Sequence, residues 1–254
     1  AAAPSRDEMA GIVRWLESEL SRLAVNVHLG VNAEAEAIQS SEPDIVVIAT
    51  GGLPKLDNNK AWGYTDGLTI SVEDVLSSRI SPASTVLIYD EIGGFTGATC
   101  ADFLAEAGSR AELVTPDPHI GQELGDGSLP VYLKRLYSKN VKMTTSLGLE
   151  KVERRDGRLL ATFKNQFTEF EETRVVDQVV IDNGTIPNDK LYCTLKSKAR
   201  NGGVTDLAAL FAYEAQPQLI DDSPGFLLYR IGDCVSSHGI HAAIYDALRL
   251  CKDF

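Results

Sequence analysis

The sequence predicts an α/β protein built around parallel strands. The run 44–48 has the near-continuous β-branched character of a parallel strand that is covered on both faces, and 179–181 is a second buried run. The run 44–48 leads into small residues and glycine, and a further strand, 86–89, is followed by a glycine loop, a helical pattern and another strand. This alternation favours a doubly wound sheet.

The composition excludes several classes of protein. The chain has 254 residues, 44% of them hydrophobic and 24% charged, which is enough for two domains with their own cores. A net charge of −12 argues against partners that are themselves polyanions, so we expect neither nucleic-acid nor membrane binding. No secretory leader or long apolar run is recognisable, which predicts a cytoplasmic protein. The four cysteines lack the CxxC spacing of zinc or redox sites: Cys100, Cys193, Cys234 and Cys251.

The N-terminal part alternates helices and strands. Ser5 to Glu8 form a capping box, and the apolar positions after it predict a helix over about 7–23 that packs one apolar face. Alternating apolar residues over 25–29 predict a short half-buried strand. A short helix over 33–39 then precedes the first buried strand, 44–48.

That first buried strand ends in a run of small residues, Ala49-Thr50-Gly51-Gly52. Small residues let the backbone approach a bulky ligand closely, although a tight exit from a strand would need the same residues. A loop with Trp62 and Tyr64 and a short helix over 71–78 complete this part of the chain.

A second strand, loop and helix begin at residue 85. The strand 86–89, a glycine loop, a helix over 98–107 and a strand over 111–115 outline a mononucleotide-binding βαβ unit. Its G-x-G-x-x-G fingerprint is incomplete, since Gly94 and Gly97 fill the second and third positions but Ile92 stands at the first.

The residues of this loop also oppose a pyrophosphate. Asp90 and Glu91 follow the strand directly, before Gly93. Their charges would repel a phosphate, because a helix N-terminus supplies only about half a positive charge. The sequence therefore predicts a nucleotide-binding fold that is retained without its dinucleotide, with a degenerate loop at Asp90, Gly93, Gly94 and Gly97.

The pattern then changes to antiparallel strands. A helix near 129–137 and a strand over 141–145 are followed by three alternating segments, 149–153, 159–164 and 175–176. Asp156-Gly157 is a strong signal for the hairpin turn between the first two segments. Residues 189–222 are polar and irregular, apart from a helix around 207–211.

The last strand and helix carry a second candidate site. The apolar run 226–231 ends in Gly232-Asp233, and an amphipathic helix begins near Ile240. A carboxylate there can accept hydrogen bonds from hydroxyl groups while the helix start faces electron-rich oxygens. An aspartate that merely caps the helix is the alternative, and His238 and His241 allow the same two interpretations.

Three motifs in this order, ATGG, GTIPN and GD around a βαβ insert, resemble the flavoprotein disulfide reductases with two dinucleotide domains. The resemblance implies two interleaved Rossmann-like three-layer domains of flavin-reductase type. An NAD(P)-binding-like domain with an antiparallel meander, 81–184, would be inserted into a truncated FAD-like domain, 1–80 and 185–254, whose first βαβ is missing.

Two longer runs narrow the resemblance. VLIYDEIGGFTGATCADFLAEAG and IHAAIYDALRLCKD resemble the C-terminal region of the NADH:flavin oxidoreductases related to old yellow enzyme. That family includes trimethylamine and histamine dehydrogenases, dienoyl-CoA reductases, and demethylases of dimethylglycine or N-methylproline, and the damaged fingerprint is more similar to its amine dehydrogenase and demethylase branch. The resemblance implies an N-terminal barrel with FMN and a 4Fe–4S cluster as partner. A parallel sheet without its first strand would expose an edge and apolar surface, so we also expect a homo-oligomer.

The same resemblance implies an FAD or ADP site in this chain, without a catalytic or metal-ligating residue. Its residues would be Ala49, Thr50, Gly51, Gly52, Gly232, Asp233, Ile240, His241 and Ala242. Two alternatives stay open: a non-catalytic nucleotide-binding or interaction module, and an NAD(P)H-dependent reductase of the dienoyl-CoA type.

Overall fold

The computed structural model describes residues 7–55, 67–217 and 224–252; Ser5, Trp62 and Tyr64 lie outside them. Its helices are α1 Asp7–Arg22, α2 Ala35–Ser40, α3 Val72–Leu76, α4 Phe95–Glu106, α5 Leu129–Ser138, α6 Lys190–Leu195, α7 Leu207–Ala212 and α8 Gly239–Cys251. Its strands are β1 Ile45–Ile48, β2 Gly52–Pro54, β3 Ile70–Ser71, β4 Thr85–Asp90, β5 Arg110–Val114, β6 Lys142–Thr144, β7 Leu147–Arg155, β8 Arg158–Asn165, β9 Glu171–Val176, β10 Gln178–Asp182, β11 Thr185–Pro187 and β12 Leu227–Arg230.

The chain divides into two compact units. Unit 1 comprises Ala1–Asn26 and Pro54–Gly184, and unit 2 comprises Val27–Leu53 and Thr185–Phe254. The prediction groups residues 1–80 with 185–254, whereas this division places 1–26 and 54–80 in unit 1. For 54–80 the reason is that β3 pairs with β10 and so belongs to the sheet of unit 1. The FAD-like and NAD-like characters of the two parts stay predictions.

Unit 1 is a three-layer α/β structure. Its five strands are all parallel, in the order β3-β10-β4-β5-β6. Alternate residues of β4 point to opposite faces: Val86 and Ile88 pack in the cluster that includes α3, α4 and α5, whereas Leu87 and Tyr89 pack in the cluster of the meander. Both faces are covered, which explains the continuous apolar run in the sequence.

The antiparallel meander is formed by β7, β8 and β9, as predicted. Asp156 and Gly157 join β7 to β8 with φ angles of 49° and 80°. Two positive φ angles are the requirement of the tight hairpin turn whose twist matches paired strands.

Unit 2 contains the two-stranded parallel sheet of β1 and β12 and the small pair of β2 and β11. Val46 and Ile48 are buried with Leu228 and Leu195, whereas Ile45 and Val47 are only half-buried. The prediction that β1 is covered on both faces is therefore wrong. One face packs in the core, and α2 and α6 lie in the same cluster.

Three further expectations need correction. Helix α1 forms, but its apolar positions Ile12, Leu16 and Leu20 are exposed, so the predicted packed face is wrong. Residues 25–29 form no strand in the described chain, since an alternating segment becomes a strand only beside a partner. Helix α6 lies where an irregular segment was predicted. Over the described ranges, no helix has the length and apolar character needed to cross a bilayer.

Candidate cofactor site

The first and last motifs meet at one edge of the parallel sheet of unit 2. Strands β1 and β12 run in register, with Ile48 opposite Arg230, and the Ile231 amide donates a hydrogen bond to the Ile48 carbonyl at 3.0 Å. The two chains therefore leave the sheet side by side, one into Ala49 to Gly52 and the other into Gly232 and Asp233. Ligands of open α/β sheets bind at this carboxyl edge.

The third motif fixes these loops together. The Asn188 amide donates to the Gly51 carbonyl at 3.0 Å, and the Thr50 hydroxyl lies 2.5 Å from the Asn188 carbonyl oxygen. The Thr50 hydroxyl also lies 3.4 Å from Cys234 Sγ, a thiol that is fully buried. Thr50, Asn188 and Cys234 thus hold the three loops in place.

Gly52 also has a packing role. A Cβ atom added to Gly52 would lie 2.5 Å from Thr185 Oγ1, so only glycine fits between β2 and β11. Gly51, by contrast, has a φ of +71° and open space where a Cβ would stand. The two glycines therefore serve different purposes: Gly52 lets the strands approach, and Gly51 leaves room on the side of the cleft described next.

A cleft of about 230 Å³ opens at this edge. It is lined by Ala49, Gly51, Ile231, Gly232, Asp233, Gly239, Ile240 and Ala243. Gly239 begins the 13-residue helix α8, with a φ of +80° and nothing within 4 Å of the position of a Cβ. Small residues on one wall and a helix start on the other form a cradle in which a ligand can approach the backbone.

Asp233 is the one charged residue of the cleft lining. Its Oδ1 accepts a hydrogen bond from the His238 amide at 3.1 Å, which closes the loop before α8. The side chain is half-buried, so the carboxylate can accept further hydrogen bonds. The Gly232 amide is held by Asp246 Oδ2 at 3.3 Å, and His238 Nδ1 lies 2.7 Å from the Ser236 carbonyl oxygen.

The cleft fits part of a nucleotide cofactor. Its volume lies below the range of roughly 300–1,000 Å³ that is common for pockets enclosing a whole small molecule. A carboxylate beside small residues suits hydroxyl groups of a ribityl or ribose chain, and the start of α8 suits phosphate oxygens. No cationic side chain belongs to the described lining, so a bound phosphate would depend on backbone amides.

The other predicted site residues lie elsewhere on α8. His241 is exposed and stacks on Tyr245, with ring centroids 6.5 Å apart. Ala242 lines a second cavity of unit 2. The prediction did not include Ile231, Gly239 and Ala243, although a glycine directly before an apolar helical run is a visible signal for a helix start that is open to a ligand.

The degenerate loop of unit 1 is occupied by its own aspartate. Asp90 Oδ1 accepts hydrogen bonds from the Ile92 and Gly93 amides at 3.1 and 2.7 Å. A Cβ atom added to Gly97 would lie 2.5 Å from the Asp90 carboxyl group, so this glycine makes room for Asp90. Gly94 is the N-cap of α4. The carboxylate therefore takes the amide donors that a phosphate would use.

A second carboxylate lies beside the first. Asp182 on β10 is in register with Asp90 on β4, and both are almost fully buried. Burial, followed by the charge of Asp182, raises the pKa of Asp90 to about 7, against the hydrogen bonds from the Gly93 and Ile92 amides. Burial likewise raises the pKa of Asp182 to about 6, although hydrogen bonds from the Gly184 and Gly97 amides oppose the shift.

The comparisons with known proteins agree with this geometry. Parallel strands that end together at a glycine-lined cleft are the architecture of the dinucleotide-binding class of α/β domains. A family model described as pyridine nucleotide-disulphide oxidoreductase matches residues 12–245, and the chain belongs to this family. The predicted fold class and family resemblance are confirmed.

The chain is also similar to longer oxidoreductases. It is 46% identical to N,N-dimethylglycine/sarcosine dehydrogenase of Chromohalobacter salexigens and 39% identical to a probable N-methylproline demethylase of Rhizobium meliloti. Each match covers 100% of this chain but only 38% and 37% of those relatives. Histamine dehydrogenase from Rhizobium sp. 4-9 shares the fold, with a TM-score of 0.78 and 18% identity over 97% of this chain and 36% of that one.

Proposed function

We propose that this chain is the C-terminal nucleotide-binding part of a flavin-dependent amine dehydrogenase or N-demethylase. The observation that carries the proposal is the glycine-lined cleft where the three motifs converge. Identities of 46% and 39% to proteins named for dimethylglycine, sarcosine and N-methylproline support an N-methylated amine as substrate class.

The cleft holds the ribityl or ribose and phosphate part of FAD or ADP. Asp233 accepts hydrogen bonds from the hydroxyl groups, Gly51 and Gly239 allow close approach, and the start of α8 faces the phosphate. FAD supplies electron-transfer chemistry when bound, whereas ADP has a purely structural effect. In the longer protein, FMN and an iron–sulfur cluster lie in an N-terminal barrel that this chain contacts.

Unit 1 keeps the fold of a nicotinamide-binding domain but does not bind the dinucleotide. Asp90 accepts the amide hydrogen bonds of the glycine loop, and Asp182 adds a second buried carboxyl group next to it. A pyrophosphate would have to displace Asp90 and then remain close to two acids, which is electrostatically unfavourable. Reducing equivalents therefore come from the amine and not from NAD(P)H.

The nucleotide site is tested in the full-length protein by measuring the FAD and ADP released on denaturation. Asp233→Ala is expected to weaken retention roughly tenfold, because the ligand hydroxyls lose a charged acceptor. Asp126→Ala in an exposed loop of unit 1 is the matched control and should retain the wild-type content. Wild-type protein without either nucleotide would contradict the cofactor proposal, and unchanged content in Asp233→Ala would remove that residue from the site.

The reaction is tested separately by following reduction of an artificial electron acceptor. Dimethylglycine, sarcosine and N-methylproline are the amines to supply, with NADH as the comparison donor. Reduction that depends on an amine and not on NADH is expected. If the protein retains its nucleotide but reduces the acceptor with none of the amines, the nucleotide-binding module is the alternative that remains. Reduction with NADH alone would favour the reductase alternative.

A further inference from the structure

A second cavity of unit 2 is separate from the cofactor cleft. It measures about 520 Å³ and lies between α7, α8 and the end of β12. Ile231 is the one residue that belongs to the described linings of both cavities. The volume of this second cavity falls within the range of roughly 300–1,000 Å³ that is usual for small-molecule sites.

The walls of this cavity suit a flat, apolar group. Leu207, Leu210 and Phe211 contribute apolar surface from α7, and Tyr245 contributes an aromatic ring from α8. The Arg249 guanidinium lies 4.6 Å from the ring centre of Tyr245 and 5.9 Å from that of Phe211. Planar surfaces that already stack in this way favour a planar ligand over a branched one.

Arg249 also presents an unused hydrogen-bond donor. Its side chain is only 17% exposed, and one terminal nitrogen donates to Asp246 Oδ1 at 2.8 Å. Its other terminal nitrogen makes no hydrogen bond among the described residues, whereas Nε is fully buried and out of reach of a ligand in the cavity. A terminal guanidinium nitrogen that no protein group occupies can donate to an acceptor on a ligand.

A second guanidinium adds to the preference for an anion. Arg230 lines the same cavity, pairs with Asp189 at 2.8 Å and lies 4.6 Å from the ring centre of Tyr192. The described lining thus holds two guanidinium groups and one carboxylate, that of Asp246, in a chain whose net charge is −12. The acceptor that best matches the fork of a guanidinium is a carboxylate.

We infer that this cavity is a binding site for a planar aromatic carboxylate. The ring packs between Phe211 and Tyr245, and a carboxylate oxygen accepts a hydrogen bond from the terminal guanidinium nitrogen of Arg249 that Asp246 does not occupy. The inference is independent of the cofactor site, because it rests on residues outside that cleft.

The test uses the full-length protein and two probes of the same shape, biphenyl-4-carboxylate and biphenyl-4-carboxamide, with binding measured by saturation-transfer NMR and calorimetry. The carboxylate is expected to bind roughly tenfold more tightly than the neutral amide. Equal affinities, or binding of neither probe at millimolar concentration, would overturn the inference.

Two variants locate the binding. Arg249→Lys keeps the charge but removes the planar fork of the guanidinium, so it should weaken binding of the carboxylate at least about fivefold and leave the affinity for the amide unchanged. Leu210→Trp fills the cavity and should abolish binding of both probes. Arg14→Lys, on the exposed surface of α1, is the matched control. If folded Arg249→Lys binds both probes with wild-type affinity, this cavity is excluded as the binding site, even if Leu210→Trp fails to fold.

Discussion

Asp90 shows how one residue can replace a ligand. Its carboxylate sits in a glycine loop, bonded to two backbone amides and packed against Gly97. Because burial raises its pKa to about 7, far above the usual value of an aspartate, the folded chain binds this proton more tightly than the unfolded chain. The free energy of unfolding should therefore fall as the pH rises from about 4 to 7.

Asp90→Asn tests this electrostatic cost. The amide keeps an oxygen acceptor for the two backbone amides but carries no charge, so it should stabilise the protein by roughly 2–4 kcal/mol at pH 8 and very little at pH 4. Urea unfolding at both pH values provides the measurement. Asp156→Asn, whose side chain is 97% exposed, serves as control. An equal gain at both pH values would show that the charge of Asp90 is not the cause.

Helices α4 and α5 are joined by a cluster of side-chain ion pairs. Asp102 on α4 is 2% exposed and pairs with Arg135 and Lys139 on α5; Lys139 Nζ lies 2.8 Å from its Oδ1. Lys139 also pairs with Glu106, whose side chain is 53% exposed. One lysine thus bridges a buried and an exposed carboxylate, which allows the two environments to be compared directly.

Neutralising the buried partner should cost more than neutralising the exposed one. Asp102→Asn leaves two cations without their buried counter-ion and should lower the free energy of unfolding by about 2 kcal/mol. Glu106→Gln should cost less than about 0.5 kcal/mol, because exposed ion pairs contribute little. Chemical unfolding at neutral pH measures both. Similar losses in the two variants would mean that burial does not set the strength of these pairs.

The elements that the sequence predicts well are those whose local sequence pattern alone determines the secondary structure. Strand β4 is recognisable because both of its faces are covered, and the hairpin of β7 and β8 because Asp156 and Gly157 favour positive φ. Residues 25–29 have an equally good alternating pattern but no strand beside them in the described chain. Whether these residues form a strand depends on a partner strand, and the periodicity of one segment gives no information about a partner.

The candidate site also depends on contacts between residues that are far apart in the sequence. Thr50 meets Asn188 across 138 positions and Cys234 across 184, and nothing local in the three motifs shows that they touch. Their convergence was predictable through the family resemblance alone. The sequence predicts that the charge of Asp90 opposes a phosphate in the glycine loop. The hydrogen bonds that Asp90 accepts from the Ile92 and Gly93 amides are visible only in the structure.

At the scale of the whole molecule, much apolar surface is exposed. Ile240, Ile244 and Leu248 form an exposed stripe along α8 at helical spacing, and Val13 and Trp15 of α1 are exposed by 54% and 62%. Soluble proteins rarely leave such patches uncovered, so surfaces of this kind bind other protein surfaces.

The isolated chain should therefore self-associate. The mean mass from light scattering should rise with protein concentration, and Ile244→Glu should shift it toward the monomer, because a charge in the centre of the stripe opposes burial. Asn32→Glu, at an exposed position before α2, is the control for the added charge. A monodisperse monomer at every concentration would contradict the prediction.

The interleaved course of the chain has a consequence for synthesis on the ribosome. Strand β1 is made early, but its partner β12 is made only after all of 54–184. At about 5–20 residues per second, β1 waits roughly ten to forty seconds without its partner. Residues 67–184, with their own five-stranded sheet, are complete before that pairing can occur. Translation thus imposes an order in which unit 1 precedes unit 2, and β1 is the segment most exposed to mispairing in between.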